Sequence, residues 1–240
     1  MAVYFISDLH LTTRRPGTTA LFHRFLATTG RQADALYILG DLFDAWLGDD
    51  ISLDDHRETI TALRRYRDSG IPVFFLHGNR DFLIGTGFAR ASGATILPEY
   101  HVLDLHGCAT LLCHGDTLCT DDHDYQQFRR MVREPHWQQQ TLARPPDERR
   151  RLATCLRDES ITRTRRKPPA ITDVSNHTVM ETMHRFGVTQ LIHGHTHRPD
   201  QHHFDLYGTP ARRTVLGDWH DHGTILVCEP DQWTLTRVED

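Results

Sequence analysis

Apolar and polar positions follow one another in blocks along this chain. The runs VYFIS, ALYIL, VFFL, TLLC and QLI each stop at a short polar cluster. In order, these clusters are Asp8-Leu9-His10, Gly40-Asp41, Gly78-Asn79-Arg80-Asp81, His114-Gly115 and Gly194-His195-Thr196-His197. Short runs rich in β-branched and aromatic residues read as buried strands, so the clusters hang from consecutive strand ends, where open α/β sheets place their sites. The first 98 residues alternate strand and helix. Strands are predicted to Ser7 and over Ala35–Leu39 and Pro72–Leu76, with helices around Thr18–Thr29, over Leu53–Asp68 and near Phe82–Ala91. That βαβ order predicts a largely parallel sheet with right-handed crossovers. Tyr100–Leu105 and Ala109–Cys113 flank His106-Gly107 and predict an antiparallel hairpin.

The segment Asp122–Lys167 interrupts this scheme. Tyr125, Phe128, Met131 and Val132 recur at helical spacing, as do Leu152, Leu156 and Ser160. The turn Arg144-Pro145-Pro146 separates the two stretches and Pro168-Pro169 ends the second, which predicts a helical hairpin inserted over about residues 122–168. Beyond it a helix is expected over Val174–Phe186 and a strand over Gln190–Ile192. Three more strands, near His203–Tyr207, Arg212–Leu216 and Thr224–Cys228, are expected to close a second sheet. The expectation is a single domain over residues 1–240 carrying the insert.

Charge sharpens the picture of the insert. The net charge is −5, yet residues 123–168 hold 12 Lys and Arg against 6 Asp and Glu, leaving −11 elsewhere. Such asymmetry points to a basic surface facing an anionic partner. A mean hydropathy of −0.50 indicates a soluble chain. The first apolar run ends at Asp8 without a basic leader, so it reads as a strand rather than a signal peptide, and the expected location is cytoplasmic. Cys108, Cys113, Cys119, Cys155 and Cys228 form no CxxC pair and read as reduced packing residues. His202, His203, His220 and His222 are assigned surface or packing roles.

The clusters together offer two or three carboxylates, four imidazoles and one amide. No mononuclear site needs so many ligands, whereas two metal ions sharing a carboxylate do. Asp8 and His10, two apart at a strand end, share a face. Asp41 has two oxygens to bridge two cations, and Asn79 offers an amide oxygen. The glycines before Asp41, Asn79 and His195 permit close backbone approach. Taken singly, a strand-end Asp is as well explained as a helix N-cap and a buried His as a core residue. Five clusters in order are not explained so. The mixed oxygen and nitrogen donors, without thiolate, suit Mn²⁺, Fe or Zn²⁺.

The series DxH, GD, GN, H and GHxH resembles that of the calcineurin-like metallophosphoesterases over nearly the whole chain. The resemblance implies a four-layer α/β/β/α sandwich and two Mn²⁺, or other divalent ions. The first metal would take Asp8, His10, Asp41 and His197, and the second Asp41, Asn79, His114 and His195. Most of that family follows the asparagine with histidine, but this chain has Arg80, which is no general acid at neutral pH yet grips phosphate oxygens well.

Arg80 together with the insert resembles the UDP-2,3-diacylglucosamine hydrolase family of bacterial lipid A synthesis. Asp122, Ser160 and Lys167 match that family, as does Thr164, where asparagine is more usual. The implied reaction is hydrolysis of the pyrophosphate of UDP-2,3-diacylglucosamine by a metal-activated water, giving UMP and 2,3-diacylglucosamine 1-phosphate (lipid X). Asp8, His10, Asp41, Asn79, Arg80, His114, His195 and His197 would carry the chemistry. Asn79, Arg80, Asp122, Ser160, Thr164, Lys167 and His195 would contact substrate, with Ser160, Thr164 and Lys167 on one helical face. A diacylated substrate further implies peripheral work on the cytoplasmic face of the inner membrane; the chain is expected to be a monomer with no nucleic-acid partner. The rival readings are a general phosphodiesterase or nucleotide hydrolase, against which Arg80 weighs, and a metal-free protein-binding scaffold, against which the full ligand set weighs.

Overall fold

The computed structural model describes residues 1–164, 167–168, 171–220 and 222–238, without the side chains of residues 160, 161, 163 and 164. The first strand, β1 (Val3–Ile6), is followed by α1 (Pro16–Ala27), β2 (Ala35–Ile38), α2 (Asp49–Asp55), α3 (Arg57–Asp68), β3 (Val73–Phe75), α4 (Thr86–Ser92) and β4 (Thr95–Ile96). A hairpin of β5 (His101–Leu105) and β6 (Cys108–Leu112) comes next, then α5 (His123–Arg133), α6 (Pro135–Leu142) and α7 (Pro146–Thr164). The chain closes with α8 (Asn176–Phe186), β7 (Gln190–His193), β8 (Asp200–Leu206), β9 (Thr209–Val215), β10 (Gly223–Cys228) and β11 (Trp233–Val238).

These strands form two sheets, ordered β11-β10-β1-β2-β3-β4 and β5-β6-β7-β9-β8. In the first, β1, β2, β3 and β4 run parallel, as the βαβ pattern requires. In the second, β6, β7 and β9 run parallel. Three apolar layers hold the stack together. Phe22, Phe25, Leu63 and Phe88 pack α1, α3 and α4 on the first sheet. Phe5, Leu39, Leu112 and Ile192 fill the space between the sheets. Val179 and Met183 of α8 pack on the far side of the second sheet with Leu111 and Leu191. Helix, sheet, sheet and helix thus make the expected four layers.

Local chemistry sets the boundaries. Ile60, Leu63 and Tyr66 recur every third residue and are buried along α3. The predicted Leu53–Asp68 helix starts earlier and breaks at His56, whose ring lies tilted against Phe43 at 4.3 Å between centroids. Gly93 and Gly187 end α4 and α8 in left-handed conformation. His106-Gly107 and Tyr207-Gly208 have positive φ at both turn residues, the geometry that joins twisted antiparallel strands.

Two expectations are corrected. Thr224–Cys228 does not join the second sheet; as β10 it pairs antiparallel with β1, Val3 opposite Cys228, and β11 follows as a further strand. The insert is not a hairpin of two helices, because Pro135 stops α5 and starts α6, with Glu134 extended as a residue before proline must be. All five cysteines are free, though Cys108 and Cys155 are exposed rather than packed. No helix among the described residues is long and apolar enough to cross a membrane.

Candidate dinuclear metal centre

Six strand ends converge on one rim. β1 delivers Asp8 and His10, β2 Asp41, β3 Asn79, β6 His114, and β7 His195 and His197. The sixth, β9, leads to Asp218. Backbone bonds lock these loops together: the His10 N–H donates to the Asp41 carbonyl (2.9 Å), and the Gly194 N–H to that of His114 (2.8 Å). Glycine is required where loops touch. A Cβ on Gly40, at φ 86°, would lie 2.5 Å from Gly78 Cα, and one on Gly78 would strike the Asp41 carboxylate. The glycines thus let the loops approach each other.

Of seven non-glycine residues with positive φ among the described residues, five are Asp8, His10, Asp41, His195 and His197. The other two sit in the hairpin turns. Left-handed backbone at such residues costs on the order of 1 kcal/mol or more each, and its concentration at one rim marks a functional centre.

The side chains divide into two groups. In the first, His10 Nε2 and His197 Nε2 stand 3.3 Å apart, with Asp8 Oδ1 at 3.4 Å from His197 and 4.0 Å from His10. In the second, Asn79 Oδ1 lies 2.9 Å from His114 Nε2 and 2.8 Å from His195 Nδ1, and Asp41 Oδ1 is 3.7 Å from His114 Nε2. Asp41 turns its other oxygen toward the first group, 3.8 Å from His10 Nδ1. Ligands bound at about 2.0–2.2 Å to one ion stand roughly 3–4 Å apart, so both groups have the spacing of a coordination shell.

The donor chemistry agrees. His114 Nδ1–H donates to the Leu39 carbonyl (2.8 Å), so the neutral imidazole turns its Nε2 lone pair toward Asn79 Oδ1. Asp8 Oδ1 and His10 Nδ1 are buried without a hydrogen-bond partner. Donor atoms that converge in this way, two of them buried without a partner, are what a cation resolves. Burial pushes the Asp41 carboxyl up to about 7 against the pull of His114. Burial also acts to raise Asp8, but His197 and the other imidazoles hold it below the usual carboxylate range. Burial depresses His195 to about 4, while Asp218 and Asp8 lift His197 to about 10 despite its burial. Such opposed shifts within one cluster mark a charge-dense site.

The centre opens into a cavity of about 920 Å³, near the upper end for small-molecule sites. Arg80 lines it, half-buried, and its guanidinium makes no hydrogen bond or ion pair among the described residues; its backbone N–H binds Asp41 Oδ1 at 2.8 Å. Apolar side chains also line it, some of them from the insert: Trp46, Phe82, Phe128, Trp137, Leu152 and Leu156. Asp122 and Lys167 also line it and are paired at 2.6 Å, with Asp122 capping α5 through the Tyr125 N–H. Ser160 and Thr164 belong to α7, and their side chains lie outside the described residues.

Three polar residues join the centre unforeseen. Asp81, fully buried, accepts backbone N–H groups from Leu42 (2.8 Å) and Gly78 (2.9 Å) and so ties the Asp41 loop to the Asn79 loop. Asp116, buried, receives the hydroxyl of Tyr125 (3.0 Å) and Arg129 Nε (2.7 Å), while the Tyr125 ring lies 5.7 Å from that of His195. Asp218 contacts His197 at 3.2 Å, and His220, read as a surface or packing residue, stands beside it on the rim. The cluster Gly78-Asn79-Arg80-Asp81 made Asp81 visible; nothing in the sequence marked Asp218.

Comparison with known proteins agrees with this geometry. Residues 1–199 match the calcineurin-like phosphoesterase family. The UDP-2,3-diacylglucosamine hydrolase of Salmonella arizonae is 53% identical over 235 residues, covering 98% of each chain, and that of Salmonella typhi is 52% identical with the same coverage. Among solved structures, an archaeal phosphodiesterase superposes with a TM-score of 0.51 over 99% of both chains at 10% identity, a likeness of fold alone. The chain belongs to the calcineurin-like phosphoesterases and, among them, to the family of the UDP-2,3-diacylglucosamine hydrolases.

Proposed function

We propose that this protein hydrolyses the pyrophosphate bond of UDP-2,3-diacylglucosamine to UMP and 2,3-diacylglucosamine 1-phosphate. One observation carries the reading: two donor clusters joined through Asp41 open, beside an Arg80 guanidinium that has no hydrogen-bond or ion-pair partner among the described residues, into a cavity lined in part by apolar side chains. Asp8, His10, Asp41 and His197 would hold one divalent ion, and Asp41, Asn79, His114 and His195 the other, with Mn²⁺ suited to both. Such ions supply Lewis acidity and draw the pKa of an attacking water from about 15.7 toward about 7.

The remaining work falls to the chain. Arg80 takes up charge on the phosphoryl oxygens through charge-assisted hydrogen bonds. The Asp122–Lys167 pair forms the polar end that receives the sugar phosphate or uridine, and the resemblance assigns Ser160 and Thr164 to the same contact. Trp46, Phe82, Phe128 and Leu156 exclude water and take the acyl chains, each buried methylene contributing roughly 0.8 kcal/mol. The chain acts as a single domain, and helices α5 to α7 are its lid.

Contact with a bilayer follows from such a substrate. Many basic residues of the insert are engaged internally: Arg129 with Asp116, Arg149 with Asp50, Arg150 with Asp55, Arg157 with Asp44 and Lys167 with Asp122. Arg130, Arg144 and Arg151 are exposed, as are Met131 and Leu142. At about 1 kcal/mol per basic residue near anionic lipid, these three support reversible, peripheral contact with the inner membrane rather than firm anchoring.

The test is UMP release by metal-free protein given back Mn²⁺, with UDP-2,3-diacylglucosamine or the same UDP-sugar lacking acyl chains. Cleavage of the diacylated compound alone, and only with metal, is expected. Equal cleavage of both would indicate a general nucleotide hydrolase, and cleavage of neither a scaffold.

A further inference from the structure

Among the outer contacts of the seven proposed ligands, the one made by Asp218 is the least accounted for by the fold alone. It follows β9, and its Oδ2 lies 3.2 Å from Nδ1 of His197. An imidazole that gives its Nδ1–H to that oxygen presents the Nε2 lone pair on its opposite side. There it meets Nε2 of His10 at 3.3 Å and Oδ1 of Asp8 at 3.4 Å, the donors of the first group. We propose that Asp218 is the positioning residue of the first metal site, holding His197 with Nε2 turned to the ion. This rests on the two-metal reading above.

Asp218 is itself held by its neighbour. The Trp219 N–H donates to the Asp8 carbonyl at 3.3 Å, and the indole is fully buried, edge-on to Phe22 (5.9 Å) and Phe25 (5.6 Å). The core of the first sheet therefore sets where Asp218 stands relative to Asp8, although Asp218 arrives from the second sheet. His220 competes weakly for the same carboxylate. Its Nε2 is 3.6 Å from Asp218 Oδ2, beyond hydrogen-bond distance, and its Nδ1 faces Arg15, whose Nη2 donates to the His10 carbonyl at 2.8 Å.

The second site has a weaker counterpart. His114 is oriented by a neutral carbonyl, that of Leu39, at 2.8 Å. A carboxylate behind a ligating imidazole fixes its tautomer and raises its basicity more than a carbonyl does, and losing such a partner lowers metal affinity about 10- to 100-fold. The two sites are therefore unequal, and Asp218 contributes to the difference.

Calorimetric titration of Mn²⁺ into the metal-free, full-length protein tests this. Wild type is expected to bind two equivalents. Asp218→Ala should weaken one of them about 10- to 100-fold and leave the other, together with the melting temperature of the metal-free protein, essentially unchanged. Asp218→Asn keeps an oxygen that accepts the same N–H and should lose clearly less, and His220→Ala should match wild type. Should the alanine variant fail to fold, the asparagine variant carries the test through a few-fold loss confined to one site. Wild-type binding at both sites in Asp218→Ala, or equal weakening of both with a lowered melting temperature, would overturn the proposal. Absence of Mn²⁺ binding by wild type would instead overturn the two-metal reading beneath it.

Discussion

Asp81 offers the sharpest test of how the centre is built, since it touches no proposed metal and yet holds two of the loops that carry ligands. Its carboxylate accepts the N–H groups of Leu42 and Gly78 at 2.8 and 2.9 Å, and those of Asp41 and Phe43 at 3.3 and 3.4 Å. Hydrogen bonds to a charged group contribute about 1.5–3 kcal/mol each, so the two short ones alone amount to about 3–6 kcal/mol. In Asp81→Ala the stranded N–H groups lose that stabilisation. For a domain of this size about 1 kcal/mol corresponds to roughly 2–4 °C, so melting of the metal-free protein should fall by on the order of 10 °C. The released loops carry Asp41 and Asn79, and a displacement of about 1 Å at reacting groups costs about 100-fold in rate. Circular dichroism melts and kcat/KM at saturating Mn²⁺ measure both effects, with Asp81→Asn expected between wild type and Ala. A melting point within about 2 °C of wild type and kcat/KM within about threefold would show that Asp81 does not hold the two loops.

Three further outcomes follow from the same geometry. Arg80→Ala should lower kcat/KM by about 10²–10³ while metal content, read by elemental analysis, stays at the wild-type level; loss of metal would show that Arg80 is structural. Asp41→Asn should reduce activity further than Asp8→Asn and disturb both Mn²⁺ equivalents in a binding titration, because its two oxygens face different donor groups; near-wild-type turnover with two ions bound would remove the bridge. Arg149, buried, binds the Leu47 carbonyl at 2.7 Å and Asp50, joining α7 to the loop before α2. Arg149→Ala should therefore raise KM for the diacylated substrate about tenfold with kcat little changed, the cost expected of one buried charge-assisted contact, and an unchanged KM would separate the insert from substrate binding.

The five polar clusters were legible because each stands where an apolar run ends, at a place where backbone must turn sharply and where Gly, Asp and His tolerate the turn. Positive φ at Asp8, His10, Asp41, His195 and His197 is the structural counterpart of that pattern. The hairpin at His106-Gly107 was readable for the same reason. Sheet membership of Thr224–Cys228 was not, since an apolar run states that a strand is buried but not that its partner is β1, more than 200 residues away. Asp218 was hidden because its role depends on Trp219 carrying the end of a second-sheet strand across to Asp8. The sequence presents the insert as a helical hairpin added to the sheet order, yet buried Asp116 takes its hydrogen bonds from Tyr125 and Arg129 of α5, so excision would strand a buried carboxylate. Point variants are the cleaner probe of that segment.

Hydrolysis of UDP-2,3-diacylglucosamine by the Mn²⁺-loaded protein in ¹⁸O-labelled water, with mass analysis of both products, measures the proposed reaction itself. With attack on the phosphorus next to uridine, as the resemblance to the UDP-2,3-diacylglucosamine hydrolases implies, metal-dependent hydrolysis predicts one ¹⁸O in UMP, none in the diacylglucosamine 1-phosphate, and no products when chelator has removed the metal. Label in the sugar phosphate, or cleavage that persists without metal, would contradict it.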